Sequence, residues 1–158
     1  EKTPNAINVL DRFHIMQKFS KALDEIRSQE VKRLKKENQD PVLTKTRWCF
    51  LKRRFNLTKS QKGKLKDLVD MNLNTVKAYI LKEQFHQFWE YKSPTWAGKF
   101  LDQYCEMINE SKLEPMIKVG KMLQSHRDLI LNYFRANREY NSGIVEGMNR
   151  KVNLTVSV

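Results

Sequence analysis

At 158 residues with a net charge of +12, the chain is long enough for one ordinary domain. Its 40% apolar content, with eight Phe, five Tyr and three Trp, excludes a disordered or low-complexity polypeptide. No apolar run approaches the roughly 20 residues of a membrane span and no basic-then-apolar leader opens the chain, so a cytoplasmic protein without a membrane partner is expected.

In chain order, Ile7 to Leu10 belong to a short apolar run over 6–10 that reads as a strand ending on the carboxylate of Asp11. From Phe13 the period becomes helical: Ile15, Phe19, Ala22, Leu23 and Ile26 recur every three or four residues, to about Glu37. Asp40-Pro41 breaks that helix, because the residue before proline avoids the helical region. Residues 41–57 carry no clear period. Thr58-Lys59-Ser60-Gln61 has the form of a capping box, opening a helix to about Met71.

A further helix starts at Asn72 or Asn74 and carries Val76, Tyr79, Ile80, Phe85, Phe88 and Trp89. Ser93-Pro94 reads as a cap with proline at the first helical position, ahead of a stripe of Trp96, Phe100, Tyr104, Met107 and Ile108. Ser111 with Glu114 suggests a second capping box, for a helix through Leu123, Ile130, Leu131 and Phe134 to about Asn137. Asn141 or Ser142 then caps a last helix with Glu146 in its first or second turn. A single strand cannot form a sheet, so the pattern is mainly α and fits a piece of a larger protein.

The charge is concentrated. Residues 32–66 hold 13 Lys and Arg against only Glu37 and Asp40, leaving the rest of the chain close to neutral. Trp48, Phe50, Leu51, Phe55 and Leu57 interrupt the run, so the segment can fold while presenting cations to a polyanion. Lys45, Arg47, Trp48, Lys52, Arg53, Arg54, Lys59 and Lys62 are the candidate DNA contacts, with Lys64 and Lys66 beyond them. Trp48 is also a candidate for base stacking, whereas Trp89 and Trp96 fall on apolar stripes and read as core.

Several tempting constellations fall short. Glu83-x-x-His86 has di-iron spacing, but such sites need two copies and two further glutamates. His14 and His126 read as local hydrogen-bonding groups, His14 with a supporting role beside Asp11 as its alternative. Cys49 and Cys105 are isolated and read as reduced core thiols. No glycine-rich phosphate loop or zinc spacing occurs.

The runs "DRFH" at Asp11–His14 and "NSGIVEGMNRK" at Asn141–Lys151 resemble the second and third acids of DDE transposases of bacterial insertion sequences, in particular the ISL-three family. Between them "RWCFLKRRFNLTKSQ", "AYILKEQFHQFW" and "ILNYFRAN" are similar to that family's segments in the same order, so the resemblance covers most of 4–151. It implies an incomplete ribonuclease-H-like domain: a strand with the second acid in 1–12, a helical insertion in 13–140, and a catalytic helix and tail in 141–158. By resemblance Asp11 and Glu146 are catalytic metal ligands, with a first acid preceding residue 1.

The resemblance further implies two Mg²⁺ (or Mn²⁺) ions, which favour carboxylate oxygens. It implies double-stranded DNA, at insertion-sequence ends and target, as the partner, in the cytoplasm at the bacterial nucleoid. It leaves room for a homo-oligomer in the transposition complex. Arg150 lies four residues after Glu146 on one helical face, beside Lys151, where both could face a scissile phosphate; a plain ion pair with Glu146 is the alternative. The tail Val152–Val158 departs from the basic, aromatic-containing continuation of the family. Without the first acid the chain is expected to be inactive alone. The rival reading is a non-enzymatic helical module binding nucleic acid through 45–66, and a weaker third is a helical protein-interaction domain.

Overall fold

A computed structural model describes residues 10–139, and among these every regular element is helical. Seven α-helices follow in order: α1 Arg12–Lys36, α2 Arg47–Leu51, α3 Lys59–Val69, α4 Asn74–Phe85, α5 Pro94–Glu110, α6 Glu114–Ser125 and α7 Arg127–Glu139. Two 3-10 turns, Arg54–Asn56 and His86–Glu90, follow α2 and α4. The mainly α expectation thus holds for the described residues. The flanking strand (apart from Leu10) and the helix after Asn141 lie outside them.

The long α1 is the spine. Its stripe of Ile15, Phe19, Ala22, Leu23, Ile26 and Leu34 is buried, and α2, α4 and α6 pack along it. The core is strongly aromatic where α1, α4 and α5 meet: the Phe85 ring centroid is 4.7 Å from Phe19 and 5.0 Å from Tyr104. Phe88 and Trp89 extend this cluster to Phe134 and Tyr133 on α7. The Tyr104 hydroxyl donates to the Leu81 carbonyl at 2.6 Å, giving the buried phenol an acceptor.

Two glycines sit where a side chain from another helix comes close. A Cβ at Gly98 would lie 2.7 Å from the Arg127 guanidinium, which crosses α5 to pair with Asp102. At Gly120 a Cβ would lie 3.1 Å from Ile108, where α6 approaches α5.

The capping box is present as read: Thr58 accepts from the Gln61 N–H, and the Gln61 side chain accepts from the Thr58 N–H. Other expectations need correction. Ser93 is the N-cap and Pro94 opens α5 as expected, but the Ser93 side chain makes no capping hydrogen bond. The Ser111–Glu114 box does not form, because Ser111 is committed to ending α5: its hydroxyl donates to the Ile108 carbonyl and accepts from Leu113 N–H. Leu113 is the N-cap, which puts Glu114 at the first position of α6 instead of the third.

The helix expected to run on to Asn137 is broken at His126. There the Ser125 hydroxyl bonds back to the Met122 carbonyl at 3.0 Å, competing with the helix ladder. Helix α4 begins at Asn74, and Phe88 and Trp89 lie in the 3-10 turn after it. Ile80 and Trp96 are exposed, not core: the buried face of α5 runs through Ala97, Leu101, Tyr104, Cys105 and Ile108, one residue round from the tryptophan.

Candidate nucleic-acid interface and the head of the first helix

The basic stretch folds as a loop, the short α2, a 3-10 turn and α3, held to the body by a few buried groups. Phe50 is fully buried against Tyr79 of α4, 5.7 Å between centroids. Beneath it the buried Lys82 ammonium donates to the Phe50 carbonyl at 3.2 Å. Burial holds this lysine below its usual range, with Glu83 opposing and Arg53 adding to the effect. In the preceding loop the Thr46 hydroxyl closes onto the Leu43 carbonyl at 2.6 Å. Of the apolar interruptions noted in the sequence, Phe50 and Leu57 are buried and anchor the segment, whereas Trp48 and Phe55 are exposed.

The cations face outward in different ways. Lys45, at φ 57, projects from the turn before α2. Arg47 pairs with Asp24 of α1 at 3.1 Å while its guanidinium lies 5.1 Å from the centroid of the exposed Trp48 ring. Arg53 stands 5.9 Å over Phe55, which is 73% exposed. Arg54, Lys59, Lys62 and Lys66 are exposed, and Lys52 is half-buried. Lys64 turns back to donate to the Thr44 carbonyl at 2.8 Å, which ties α3 to the loop.

Asp11 is the N-cap of α1: its backbone is extended (φ −68, ψ 135), and Oδ1 accepts from the Phe13 N–H at 3.2 Å. The other carboxylate oxygen has no partner among the described residues. The approach to this cap is fixed to α7, where the Leu10 N–H donates to the Leu129 carbonyl at 3.3 Å. Arg12, next in the chain, lies 5.5 Å from the centroid of Trp89. His86 responds to both this corner and the basic segment: burial first, then the charges of Lys82, Arg12 and Arg53, press its imidazole below the usual range against the pull of Glu83. Arg12 at the head of α1 and Arg53 ahead of the 3-10 turn thus both act on the charge of one histidine.

Among the described residues no three His, Cys, Asp or Glu side chains could together hold a metal ion. His86 is 4.0 Å from Glu83, a local contact without a second motif. His14 is exposed, and His126 contacts Ser125 and Met122. Cys49 and Cys105 are buried free thiols, and burial, with Asp102 nearby, pushes Cys105 up to about 11. No helix of the described residues is long and apolar enough to cross a membrane. Glu146, Arg150 and Lys151 lie outside the described residues.

Sequence reasoning missed two buried charges, Glu30 and Lys82. The signal was positional: Glu30 sits four residues from both Ile26 and Leu34 on the apolar stripe, and Lys82 four from Ala78 and three from Phe85.

Residues 1–157 match a family described as transposase. The chain is also 26% identical over 152 residues to the transposase for insertion sequence element IS1001 of Bordetella parapertussis, covering 95% of this chain and 37% of that protein. It therefore spans little more than a third of that relative's length. No solved structure matches.

Proposed function

The chain belongs to the ISL-three family of transposases, and from that premise we propose that it is the later part of a DDE catalytic region acting in DNA transposition. Residues 13–140 are its helical insertion. The family match across 1–157 carries this proposal, because it includes both proposed acids, Asp11 and Glu146, and the helices between them. A helical insertion agrees with the all-helical described region.

Asp11 suits the role of a metal-binding acid. It heads a helix anchored by a large core, so its carboxylate is positioned by the spine of the fold, and one oxygen is unengaged among the described residues. A carboxylate oxygen is the hard donor that Mg²⁺ or Mn²⁺ favours. Asp11 and Glu146, with an earlier acid, would hold two such ions. Bound there, the ions would activate the attacking oxygen and stabilise the leaving one in phosphodiester hydrolysis and strand transfer. Arg150 and Lys151 would steady the phosphate beside Glu146.

The basic segment, Lys45, Arg47, Trp48, Lys52, Arg53, Arg54, Lys59 and Lys62, would hold duplex DNA without taking part in the chemistry. The whole transposase would work on chromosomal DNA in the bacterial cytoplasm, as an oligomer that pairs the element's ends.

The deciding experiment uses a longer transposase containing this stretch. Asp11→Asn and Glu146→Gln are each expected to abolish cleavage of an insertion-sequence end while leaving DNA binding intact. Cleavage by either variant at the parent rate would remove that residue from the site. The 158-residue chain alone should leave supercoiled plasmid intact with Mg²⁺; nicking that Glu146→Gln abolishes would show that the site is already complete.

A further inference from the structure

Of the three glycines among the described residues, Gly98 and Gly120 are explained by packing, but Gly63 is not: a Cβ there would have nothing within 4 Å. Glycine is a poorer helix former than alanine, and Gly63 sits in the interior of α3, where no turn or positive φ asks for it. The chain's own packing therefore gives no reason for the missing side chain.

Its position does. Helix α3 buries Leu65 and Leu68 against the body, where it packs on α2. At 3.6 residues per turn Gly63 lies on the opposite side, in the middle of the outward face. Lys59 is one turn before it and Lys66 one turn after, while Lys62, the preceding residue, stands at the edge of that face, and all three are exposed. Lys64, by contrast, is drawn aside to Thr44. Asp67 and Asp70 follow, which confines the cationic face to the first two turns. The result is a strip of bare helix backbone with three ammonium groups along one side of it and Asp67 on the other.

Resting on the proposed DNA-binding role, we propose that this face of α3 seats directly on the sugar-phosphate backbone of duplex DNA, with Gly63 as the point of closest approach. Glycine serves where a backbone and a ligand must come close. A side chain at position 63 would hold the helix off, so that Lys59, Lys62 and Lys66 could not all reach phosphates together. Charge complementarity selects a polyanion, and the short span of α3, about 10 Å from Lys59 to Lys66 at about 1.5 Å per residue, suits a few consecutive phosphates.

The test is anisotropy with a fluorescent random-sequence duplex of about 20 base pairs, long enough for several phosphate contacts, alongside thermal melts of the free chain. Gly63→Ala is expected to raise the Tm by about 2–4 °C while weakening duplex binding about three- to tenfold. Gly63→Leu should weaken it further. Because neither change removes charge, the slope of log affinity against log salt should stay within about 0.5 of the parent's. Lys62→Gln should instead flatten that slope by about 1. If Gly63→Ala and Gly63→Leu bind like the parent while Lys62→Gln weakens binding, the close approach is overturned and the DNA-binding role stands. If all three bind like the parent, α3 is not a DNA-facing helix at all.

Discussion

The carboxylate of Glu30, buried on α1, accepts both the backbone N–H and the hydroxyl of Thr75 at the start of α4, at 2.8 and 2.7 Å. Its other oxygen takes the Asn74 N–H at 3.0 Å and Arg33 at 3.2 Å. One side chain thus caps a helix 44 residues later in the chain, where the N-cap residue Leu73 has no side-chain oxygen to offer. Burial alone would raise this carboxyl, but the hydrogen bonds from Thr75, Asn74 and Arg33 outweigh it and hold it below its ordinary 4.5.

Glu30→Gln should therefore cost about 2–3 kcal/mol, read from urea midpoints, since an amide cannot accept at both positions and leaves a buried N–H unpaired. A carboxyl whose folded pKa is lowered contributes stability that is complete above the unfolded value. That stability is lost as pH falls from about 4.5 through the folded value. The gap between parent and variant should narrow over that acid window. A gap that stays constant from pH 7 to pH 3 would show that the charge on Glu30 is not what matters.

The two packed glycines should respond unequally to alanine. At Gly98 the obstruction is the far end of Arg127, which can swing away at the loss of its exposed contact with Asp102. A cost under about 1 kcal/mol is expected. At Gly120 the added methyl meets the body of Ile108, fully buried between helices, and about 1–3 kcal/mol is expected. Equal thermal midpoints for the two variants would contradict this ranking.

DNA binding should depend on salt. If about five cations of the basic segment neutralise phosphates, log affinity should fall against log salt with a slope near −4 to −5. Arg53→Ala with Arg54→Ala should flatten the slope by up to about 2 and weaken all duplex sequences alike. Anisotropy titrations at three salt concentrations decide it; a double variant that behaves like the parent would reduce the segment to a solvated face.

Trp48 is half-exposed with a guanidinium near its face, an arrangement suited to stacking on an unpaired base. Trp48→Ala should weaken binding to a short dT oligonucleotide by about 1–2 kcal/mol. It should change duplex affinity less, and it should remove the tryptophan fluorescence quenching expected on titrating the parent with the oligonucleotide. Quenching that persists in the variant would assign it to Trp89 or Trp96 instead.

Much of this architecture can be read from spacing alone. Ile15, Phe19, Leu23 and Ile26 specify the buried side of α1 because a long helix repeats its period often enough to be unambiguous. Thr58 and Gln61 specify the start of α3 because both halves of the capping box are local. Reading fails where a tertiary partner decides. Ser111 and Glu114 have the same local spacing, yet Ser111 is claimed by the end of α5. Trp96 fits an apolar stripe, but the neighbouring Ala97 allows the closer contact and takes the core position. For the candidate site, the exposed cations of 45–62 were legible from composition, whereas the approach of Arg12 and Arg53 to His86 depends on helix packing that no local pattern encodes.

The long spine also bears on how the chain is made. Of the described helices α1 is synthesised before the others, but α4, which covers it and takes its cap from Glu30, follows roughly 50 residues later, and α6 later still. At about 5–20 residues per second on the ribosome, the greasy side of α1 waits several seconds for cover. Through that interval Ile15, Phe19, Leu23 and Ile26 are open to chaperones and to other nascent chains. Solubility on expression should therefore depend on the speed of translation through residues 37–85 as well as on the stability of the finished fold.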